Sequence, residues 1–288
     1  MNHKVKTAVF KVLSQLPSDM GVKLYHLLQN FSQNRNVAYK LRSTEGTFNT
    51  LLSICKELRI DLNGKSIIEI GSGWLPIIPY LFLYKAKSGT VHTYDLNKHY
   101  QKKSITHFNT LFAKKHQAEI VVSNTSYSLP EQVIYYPSQD VSTSSLPKNG
   151  IVFSRFVLEH VPPEALLAMH KKFKSELEKG SYIIHFISPS DHRAFSDKSL
   201  SLQDFLQYSQ QEWDGIQTKF DYHNRLRLPQ YLEIFKSLDL EVVYLTSHSP
   251  KPDSPTYELF KKVKLHPDYK NYTDQELTAG SINVVLKI

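Results

Sequence analysis

The chain has 288 residues, of which 41% are hydrophobic and 22% charged, a balance that is typical of a globular protein and excludes a disordered or fibrous one. This length accommodates one elaborated α/β domain or two small ones. The net charge of +8 brings nucleic acid, anionic membranes and acidic small molecules into consideration as partners, but the basic residues are scattered along the chain and form no long binding stripe.

Three features of the sequence bear on the compartment. The single cysteine, Cys55, excludes an internal disulfide framework and fits a reducing environment. The longest apolar run, 75–84, is interrupted by prolines and is far shorter than the roughly 20 residues of a membrane span. The amino terminus lacks a continuous apolar segment and a cleavage site. We therefore expect a cytoplasmic protein without a membrane span.

The chain is expected to begin with helices that lie outside its α/β core. Residues 1–60 are predicted to form this helical extension, and residues 61–288 the α/β domain. Ser43 or Thr44 is a suitable N-cap for a helix with an apolar side made of Phe48, Leu51, Leu52, Cys55 and Leu58. Two roles stay open for the extension, namely plain packing against the sheet and a part in building a substrate pocket.

The most informative stretch is 65–76, which reads K-S-I-I-E-I-G-S-G-W-L-P. A short buried strand, Ser66–Ile70, would deliver Gly71 and Gly73 to a turn, where the missing Cβ atoms allow unusual dihedral angles and close approach to a ligand. Pro76 suits the first turn of a following helix. It also stands where a dinucleotide-binding turn needs its third glycine, which favours a cofactor with an adenosine but no phosphates, such as S-adenosylmethionine (SAM).

A second strand-like run, Thr90–Asp95, ends in an acid at roughly the distance from the turn at which a carboxylate binds ribose hydroxyls. A long helix is expected to begin near Asn97. The third strand is ambiguous, because 118–123 and 132–136 both look extended. The second of these candidates leads towards the pair Asp140 and Val141.

Three motifs, in this order and at this spacing, resemble those of class I SAM-dependent methyltransferases. They are E-I-G-S-G-W at 69–74, Y-D-L at 94–96 and F-V-L-E-H-V at 156–161, and the similarity covers about 62–188. The resemblance implies a Rossmann-like domain that binds SAM as methyl donor through Glu69, Gly71, Ser72, Gly73, Trp74, Asp95, Leu96, Asp140, Val141 and Ser154. An acid at the place of Asp140 accepts from the adenine amino group in that family, while an ordinary surface-turn aspartate is the open alternative.

Further strands are predicted at 151–154, 181–188, 240–247 and 282–288, with helices between most of them. Strands that alternate with helices imply a parallel sheet with helices on both faces. The last two strands lack a clear helical crossover, which suggests that the final one is antiparallel. We therefore predict an α/β fold with a doubly wound, seven-stranded, mostly parallel sheet in the order 3-2-1-4-5-7-6 that the resemblance implies.

Two segments, at about 191–227 and 249–280, interrupt this pattern as insertions. The first contains several aromatic residues and the basic run H-N-R-L-R, and it could form a wall of the substrate pocket or a surface subdomain with its own small core. As groups that contact substrate we predict Arg155, Asp191, Asn224, Arg225 and Arg227. The second segment is expected to be an ordered loop or a small helical insertion.

Two histidines are predicted at the place where the acceptor would react. Ligands of open α/β sheets bind beyond the carboxyl ends of the strands, and His160 follows the predicted fourth strand while His192 follows the fifth. Histidine is a natural base for a hydroxyl acceptor, although a structural role stays open for both. No metal site is predicted, because the 13 histidines are dispersed without a zinc-type spacing. Glu159 as a magnesium ligand stays open.

The leading hypothesis is a methyltransferase for a small-molecule or carbohydrate acceptor, at oxygen. An RNA methyltransferase keeps the same fold and would explain the charge of +8, but no RNA-binding module is recognisable, so nucleic acid is not the expected partner. A catalytically silent protein with this fold is not separable by sequence. A nicotinamide oxidoreductase is a further alternative, but its two Tyr-x-x-x-Lys matches look accidental. The sequence does not predict an oligomeric state.

Overall fold

The computed structural model describes residues 3–17, 20–21, 23–25, 27 and 37–288. Within these residues no helix is both long and apolar enough to cross a membrane. The strands are β1 (Ser66–Ile70), β2 (Thr90–Asp95), β3 (Val122–Asn124), β4 (Leu129–Pro130), β5 (Val133–Pro137), β6 (Gly150–Arg155), β7 (Tyr182–Ile187), β8 (Glu241–His248) and β9 (Gly280–Lys287).

Seven strands form one sheet in the order β5-β2-β1-β6-β7-β9-β8, which confirms the order predicted from the sequence. The central strand β1 is parallel to β2 and to β6, and its last residue, Ile70, pairs with Tyr94 on one side and Ser154 on the other. Its apolar sequence is buried almost throughout, as expected for a strand covered on both faces. β9 pairs with β8 in antiparallel direction, as predicted.

The ambiguity over the third strand is resolved in favour of the later candidate. β5 pairs in parallel with β2, with Asp95 opposite Pro137. The earlier candidate contributes only the short strand β3, which forms a separate antiparallel pair with β4. The edge of the main sheet is therefore β5, and β3 and β4 form a small hairpin of their own ahead of it.

The α-helices have the following bounds. They are α1 (His3–Gln15), α2 (Val37–Glu57), α3 (Ile77–Tyr80), α4 (Lys102–His116), α5 (Pro163–Glu176), α6 (Arg193–Ser196), α7 (Gln210–Ile216), α8 (Leu228–Ser237), α9 (Pro255–Lys261) and α10 (Asp274–Thr278). A π-helical turn at Leu81–Lys85 continues α3, and 3-10 turns lie at Leu158–His160, Asp204–Gln207 and Pro267–Tyr269.

Two predicted helix starts were wrong. Ser43 and Thr44 lie inside α2 instead of capping it, because Val37 and Leu41 extend the buried apolar side towards the amino terminus. The helix expected near Asn97 begins at Lys102. The amide of Asn97 donates to the Asp95 carboxylate at 2.8 Å, and the amide of His99 donates to the Tyr135 hydroxyl at 2.9 Å, so these two amides are engaged outside a helix.

The chain divides into two compact units. We call the first the glycine-turn unit; it consists of His26–Ser154, Ser175–Ile183 and Ile288. Its core contains three rings in sequence, with Phe48 edge-on to Phe82 at 5.0 Å and Phe82 edge-on to Phe153 at 5.5 Å between centroids. These rings join helix α2 to β6, the strand that pairs with β1.

The second, the histidine-cluster unit, consists of Met1–Tyr25, Arg155–Lys174 and Ile184–Lys287. The two insertions lie in this unit and share one small core, made of Phe205, Leu206, Trp213, Phe260, Tyr269 and Leu277. Two helices and a 3-10 turn occupy the second insertion. Aromatic residues of the amino terminus also pack here, since Tyr25 stacks on Phe220 at 4.7 Å between centroids.

Candidate functional site

The glycine turn after β1 has the backbone that its sequence predicts. Gly71 and Gly73 have φ angles of 82° and 60°, in the left-handed region that side chains with a Cβ disfavour. The amide of Gly71 donates to the carbonyl of Tyr94 at 2.8 Å and so extends the pairing of β1 with β2. A Cβ at Gly73 would meet no heavy atom of the described residues within 4 Å. The turn therefore leaves open space beside its backbone.

Asp95 lies against this turn. Its Oδ2 accepts from the amide of Gly73 at 3.3 Å and its Oδ1 from the amide of Asn97 at 2.8 Å. Burial raises the pKa of Asp95 to about 6, while the amides of Asn97, Gly73 and Ser72 act in the opposite direction. A carboxylate offers about four lone-pair sites, so the amides of Asn97, Gly73 and Ser72 leave acceptor capacity for a ligand. The sequence predicted both residues, and the structure brings them together.

Glu69 lies beneath the turn and is buried. It accepts a hydrogen bond from the hydroxyl of Thr93, which in turn contacts the hydroxyl of Ser72 at 2.6 Å. Burial raises the pKa of Glu69 to about 8; the Thr93 bond lowers it and the charge of Asp95 raises it further. This chain of hydroxyls links the acid to Ser72 in the turn, which makes Glu69 a positioning residue for the backbone that the ligand would approach.

Other predicted cofactor residues surround Asp95. The rings of Trp74 and His99 lie 4.4 Å apart between centroids, and His99 Nε2 is 3.6 Å from Asp95 Oδ1. The Leu96 side chain is 68% exposed, which is unusual for a leucine beside a buried strand. His99 and Tyr135 were not predicted from the sequence. They contact Asp95 and the residues that follow it, but neither belongs to a recognisable motif.

Asp140 and Val141 follow the edge strand β5. Asp140 is exposed, and its carboxylate accepts from the amide of Ser142 at 2.8 Å, which is the geometry of a polar turn. Val141 is buried. Ser154, at the end of β6, is buried opposite Ile70 in the sheet. The predicted roles of these three residues towards a cofactor stay predictions.

The histidine-cluster unit contains the second candidate site. Glu159, His160 and His192 each offer one ligand atom, and these atoms lie within 4.8 Å of one another. The ring of His223 lies 5.6 Å from that of His160 and 5.1 Å from that of His192 between centroids. The two histidines predicted as catalytic are thus brought together, and His223 was missed.

Glu159 is fully buried within this cluster. No group in the described part of the chain forms a well-shaped hydrogen bond to either of its carboxylate oxygens. Burial raises the pKa of Glu159 to about 8; the amides of Glu159 itself and of Ser188 and the charge of Arg155 only partly offset this rise. Arg155 in turn lies over the ring of Phe156, with its guanidinium carbon 4.3 Å from the centroid.

The residues predicted to contact substrate have other partners in the structure. Asp191 is buried in an ion pair with Arg193 at 2.6 Å. The Arg225 guanidinium donates to the carbonyls of Phe205 and Tyr208 at 3.0 and 2.7 Å.

Arg227 donates to the carbonyls of Arg225 and Leu277, and Asn224 to those of Leu158 and Val161. Arg227 thereby joins the two insertions, and Asn224 joins the first insertion to the segment after β6. A role towards substrate stays a prediction for each of them.

Comparison with known proteins gives a likeness of fold only. No protein-family model matches the chain, and no curated protein matches its sequence. A solved putative sarcosine dimethylglycine methyltransferase from Galdieria sulphuraria is 10% identical, with a TM-score of 0.51 over 85% of this chain and 86% of that one. Magnesium protoporphyrin IX methyltransferase from Synechocystis PCC 6803, solved with bound SAH, is 13% identical, with a TM-score of 0.47 over 85% and 84%.

The strand order, the antiparallel last strand and the likeness to the Galdieria protein agree with one another. The chain has the Rossmann-like α/β fold of the class I SAM-dependent methyltransferases.

Proposed function

We propose that the protein is a SAM-dependent methyltransferase whose acceptor is a hydroxyl group of a small molecule or carbohydrate. The observation that carries this proposal is the contact of the Asp95 carboxylate with the amide of Gly73, at the end of two neighbouring parallel strands. Ligands of open α/β sheets bind beyond the carboxyl ends of their strands, and this contact sets an acid beside a turn that is open to a ligand.

The residues around Asp95 fit the parts of SAM. The lone pairs of Asp95 that the neighbouring amides leave unused are suited to the ribose hydroxyls. The open space beside Gly73 lets a ligand approach the backbone closely. The exposed side chain of Leu96 offers an apolar surface for adenine. Asp140 remains the predicted acceptor for the adenine amino group.

When bound, SAM would supply a methyl group that its sulfonium activates, and transfer of that methyl to the acceptor oxygen would release a neutral thioether while the acceptor's proton passes to a base of the protein. The protein's task is then to hold the acceptor in line, an effect worth up to roughly 7 to 11 kcal/mol. His160 and His192 are the groups we propose to take the acceptor's proton, a contribution of about 100-fold to 10,000-fold.

The Galdieria neighbour is named as a methyltransferase of sarcosine and dimethylglycine, which are small molecules, and this supports the small-molecule part of the proposal. One of the two observations that favoured an RNA substrate no longer supports it. The arginines near 225 that suggested phosphate contacts are buried and bonded to backbone carbonyls. The charge of +8 is the motive that remains.

Calorimetric titration with SAM tests the proposal. Wild type should bind one equivalent, and Asp95→Ala should weaken binding at least about tenfold, since a hydrogen bond to a charged group contributes roughly 1.5–3 kcal/mol. Asp61→Ala is the matched control, because Asp61 also accepts the amide two residues later, at 2.9 Å, but lies ahead of β1. Absence of binding to wild type, or equal affinity of the two variants, would contradict the proposal.

A further inference from the structure

We propose that Glu159, His160 and His192 bind one divalent transition-metal ion, for which Zn²⁺ is the natural probe. A carboxylate and two imidazoles form a ligand set that is used by zinc enzymes with an open coordination position. The three ligand atoms within 4.8 Å of one another lie on two segments, the 3-10 turn after β6 and the loop before α6. The sequence showed no zinc-type spacing, because the third ligand is distant along the chain.

The distances need only a small adjustment to close around an ion. Ligand atoms at about 2.1 Å from a tetrahedral zinc lie about 3.4 Å from one another. His160 is exposed and His192 half-buried, and their rings lie 4.9 Å apart between centroids. Glu159 is the fixed member, since it is fully buried.

The second observation is the state of Glu159. Both of its carboxylate oxygens lie in the interior, and neither has a well-formed hydrogen bond from the described residues. A buried polar group without a partner costs about 1–3 kcal/mol, and more when it is charged. Such groups are rare, and the partners that the described residues offer to Glu159 are its own amide, the amide of Ser188 and the charge of Arg155. A metal ion satisfies both oxygens at once.

The third observation concerns the tautomer of His160. Its Nδ1 lies 2.8 Å from the carbonyl oxygen of Tyr222, which can only accept, so Nδ1 carries the proton. Nε2 of the neutral ring is therefore the nitrogen with the lone pair. A histidine ligand whose second nitrogen donates to a backbone carbonyl is the usual arrangement at metal sites, since this bond orients the ring.

Two cations near the cluster oppose metal binding and define the competing account. The charge of Arg155 acts on Glu159, and the charge of Arg227 acts on His223, the buried ring beside the two ligand histidines. In the competing account, Arg155 alone balances Glu159 and the cluster has no affinity for an ion. Only a binding measurement separates the two accounts.

The existence of the metal site is independent of the proposed function, whereas its chemical role rests on it. Three protein ligands leave a fourth position for an oxygen ligand, and zinc lowers the pKa of bound water to about 7. With the ion bound, His160 and His192 would act as its ligands instead of as bases, and an acceptor hydroxyl bound at the fourth position would ionise more readily in the proposed methyl transfer.

The test uses the full chain without a histidine tag, stripped of metal by a chelator and dialysed. Wild type should bind one equivalent of Zn²⁺ in a competition titration. Glu159→Gln and His192→Asn should bind at least about tenfold more weakly, because each lacks one of the three ligands. His248→Asn removes an exposed histidine of β8 and should bind as wild type does.

Three further readouts keep the result unambiguous. Zn²⁺ should raise the melting temperature of wild type and of His248→Asn but not of the two ligand variants. Co²⁺ bound to wild type should give visible absorption bands, and this measurement does not depend on the folding of any variant. SAM titration runs in parallel: zinc binding without SAM binding would support the site and contradict the methyltransferase, and SAM binding without zinc binding would do the reverse. Zinc affinities that are equal in wild type and the ligand variants would overturn the inference.

Discussion

The amide of Gly73 donates to the carboxylate of Asp95 at 3.3 Å, although the two residues are 22 positions apart. The bond ties the turn after β1 to the end of β2, because Ile70 and Tyr94 are paired in the sheet just before it. It also fixes one oxygen of Asp95, so that the remaining lone pairs have a defined direction. A change at either residue should therefore affect the backbone of the turn and the binding of a ligand together.

Comparison of Gly73→Ala with a control glycine separates an effect on SAM binding from an effect on the stability of the fold. The φ of 60° makes a Cβ unfavourable at this position, at roughly 1–2 kcal/mol of unfolding free energy. Gly64→Ala is the matched control, since Gly64 has a φ of 68° and equally open surroundings ahead of β1. Urea unfolding should show similar losses in both variants, while SAM titration should show lost affinity only in Gly73→Ala. Equal SAM affinities would mean that the space beside Gly73 is not used.

The buried acid beneath the turn predicts a pH dependence. The folded pKa of Glu69, about 8, exceeds its ordinary value of 4.5, so the folded protein keeps a proton that the unfolded chain releases. Stability is then full below about pH 4.5 and declines as pH rises to about 8, by at most about 1.4 kcal/mol for each pH unit. Glu69→Gln should remove this decline in urea unfolding across that range. An unchanged slope in the variant would show that Glu69 ionises freely in the folded protein.

A buried pair of histidines predicts that stability also decreases as the pH falls, which is the opposite direction to the effect of Glu69. His170 and His185 are fully buried with their Nε2 atoms 3.0 Å apart, and burial lowers the pKa of His170 to about 4 and that of His185 well below its ordinary value. Below about pH 6.5 these histidines bind protons in the unfolded chain but stay neutral in the folded protein. The free energy of unfolding therefore decreases as the pH falls below about 6.5. Urea unfolding between about pH 6.5 and pH 5 measures how the free energy of unfolding depends on pH. In His185→Gln this slope should be smaller than in wild type by the equivalent of about one bound proton. The same slope as wild type would contradict the burial argument.

The shared core of the two insertions predicts an effect on the stability of the fold. Phe260 is buried beside Trp213, and Phe260→Ala should lower the free energy of unfolding by about 3–5 kcal/mol. Leu245→Ala, at an exposed position of β8, should change it by no more than about 0.5 kcal/mol. Tryptophan fluorescence in a Trp74→Phe background, which leaves only Trp213, reports on this core. Similar losses in the two variants would mean that the insertions do not share a core.

The alternation of strands with helices and the glycine turn could be predicted because they depend on local patterns, whereas the sheet order followed from the resemblance to class I SAM-dependent methyltransferases. Short apolar strands alternate with longer helical segments, and a positive φ requires glycine where Gly71 and Gly73 stand. Asp95 was predictable because its distance from the turn follows from one strand, one helix and the next strand.

The rest depends on contacts between distant residues. The hydroxyl of Tyr135 binds the amide of His99 across 36 positions and delays the start of α4, which no local pattern predicts. Arg225 looked like a solvent-facing or ligand-binding group, but backbone carbonyls inside the insertions need donors, and its guanidinium supplies them. His223 was missed for the same reason, since only the fold brings it beside His160 and His192.

A crystal structure with S-adenosylhomocysteine tests the central claim most directly. We predict ligand density beside Gly71 and Gly73, with the ribose hydroxyls within hydrogen-bond distance of the Asp95 carboxylate. Density for the ligand at any other place, or none at concentrations that saturate known methyltransferases, would contradict the account.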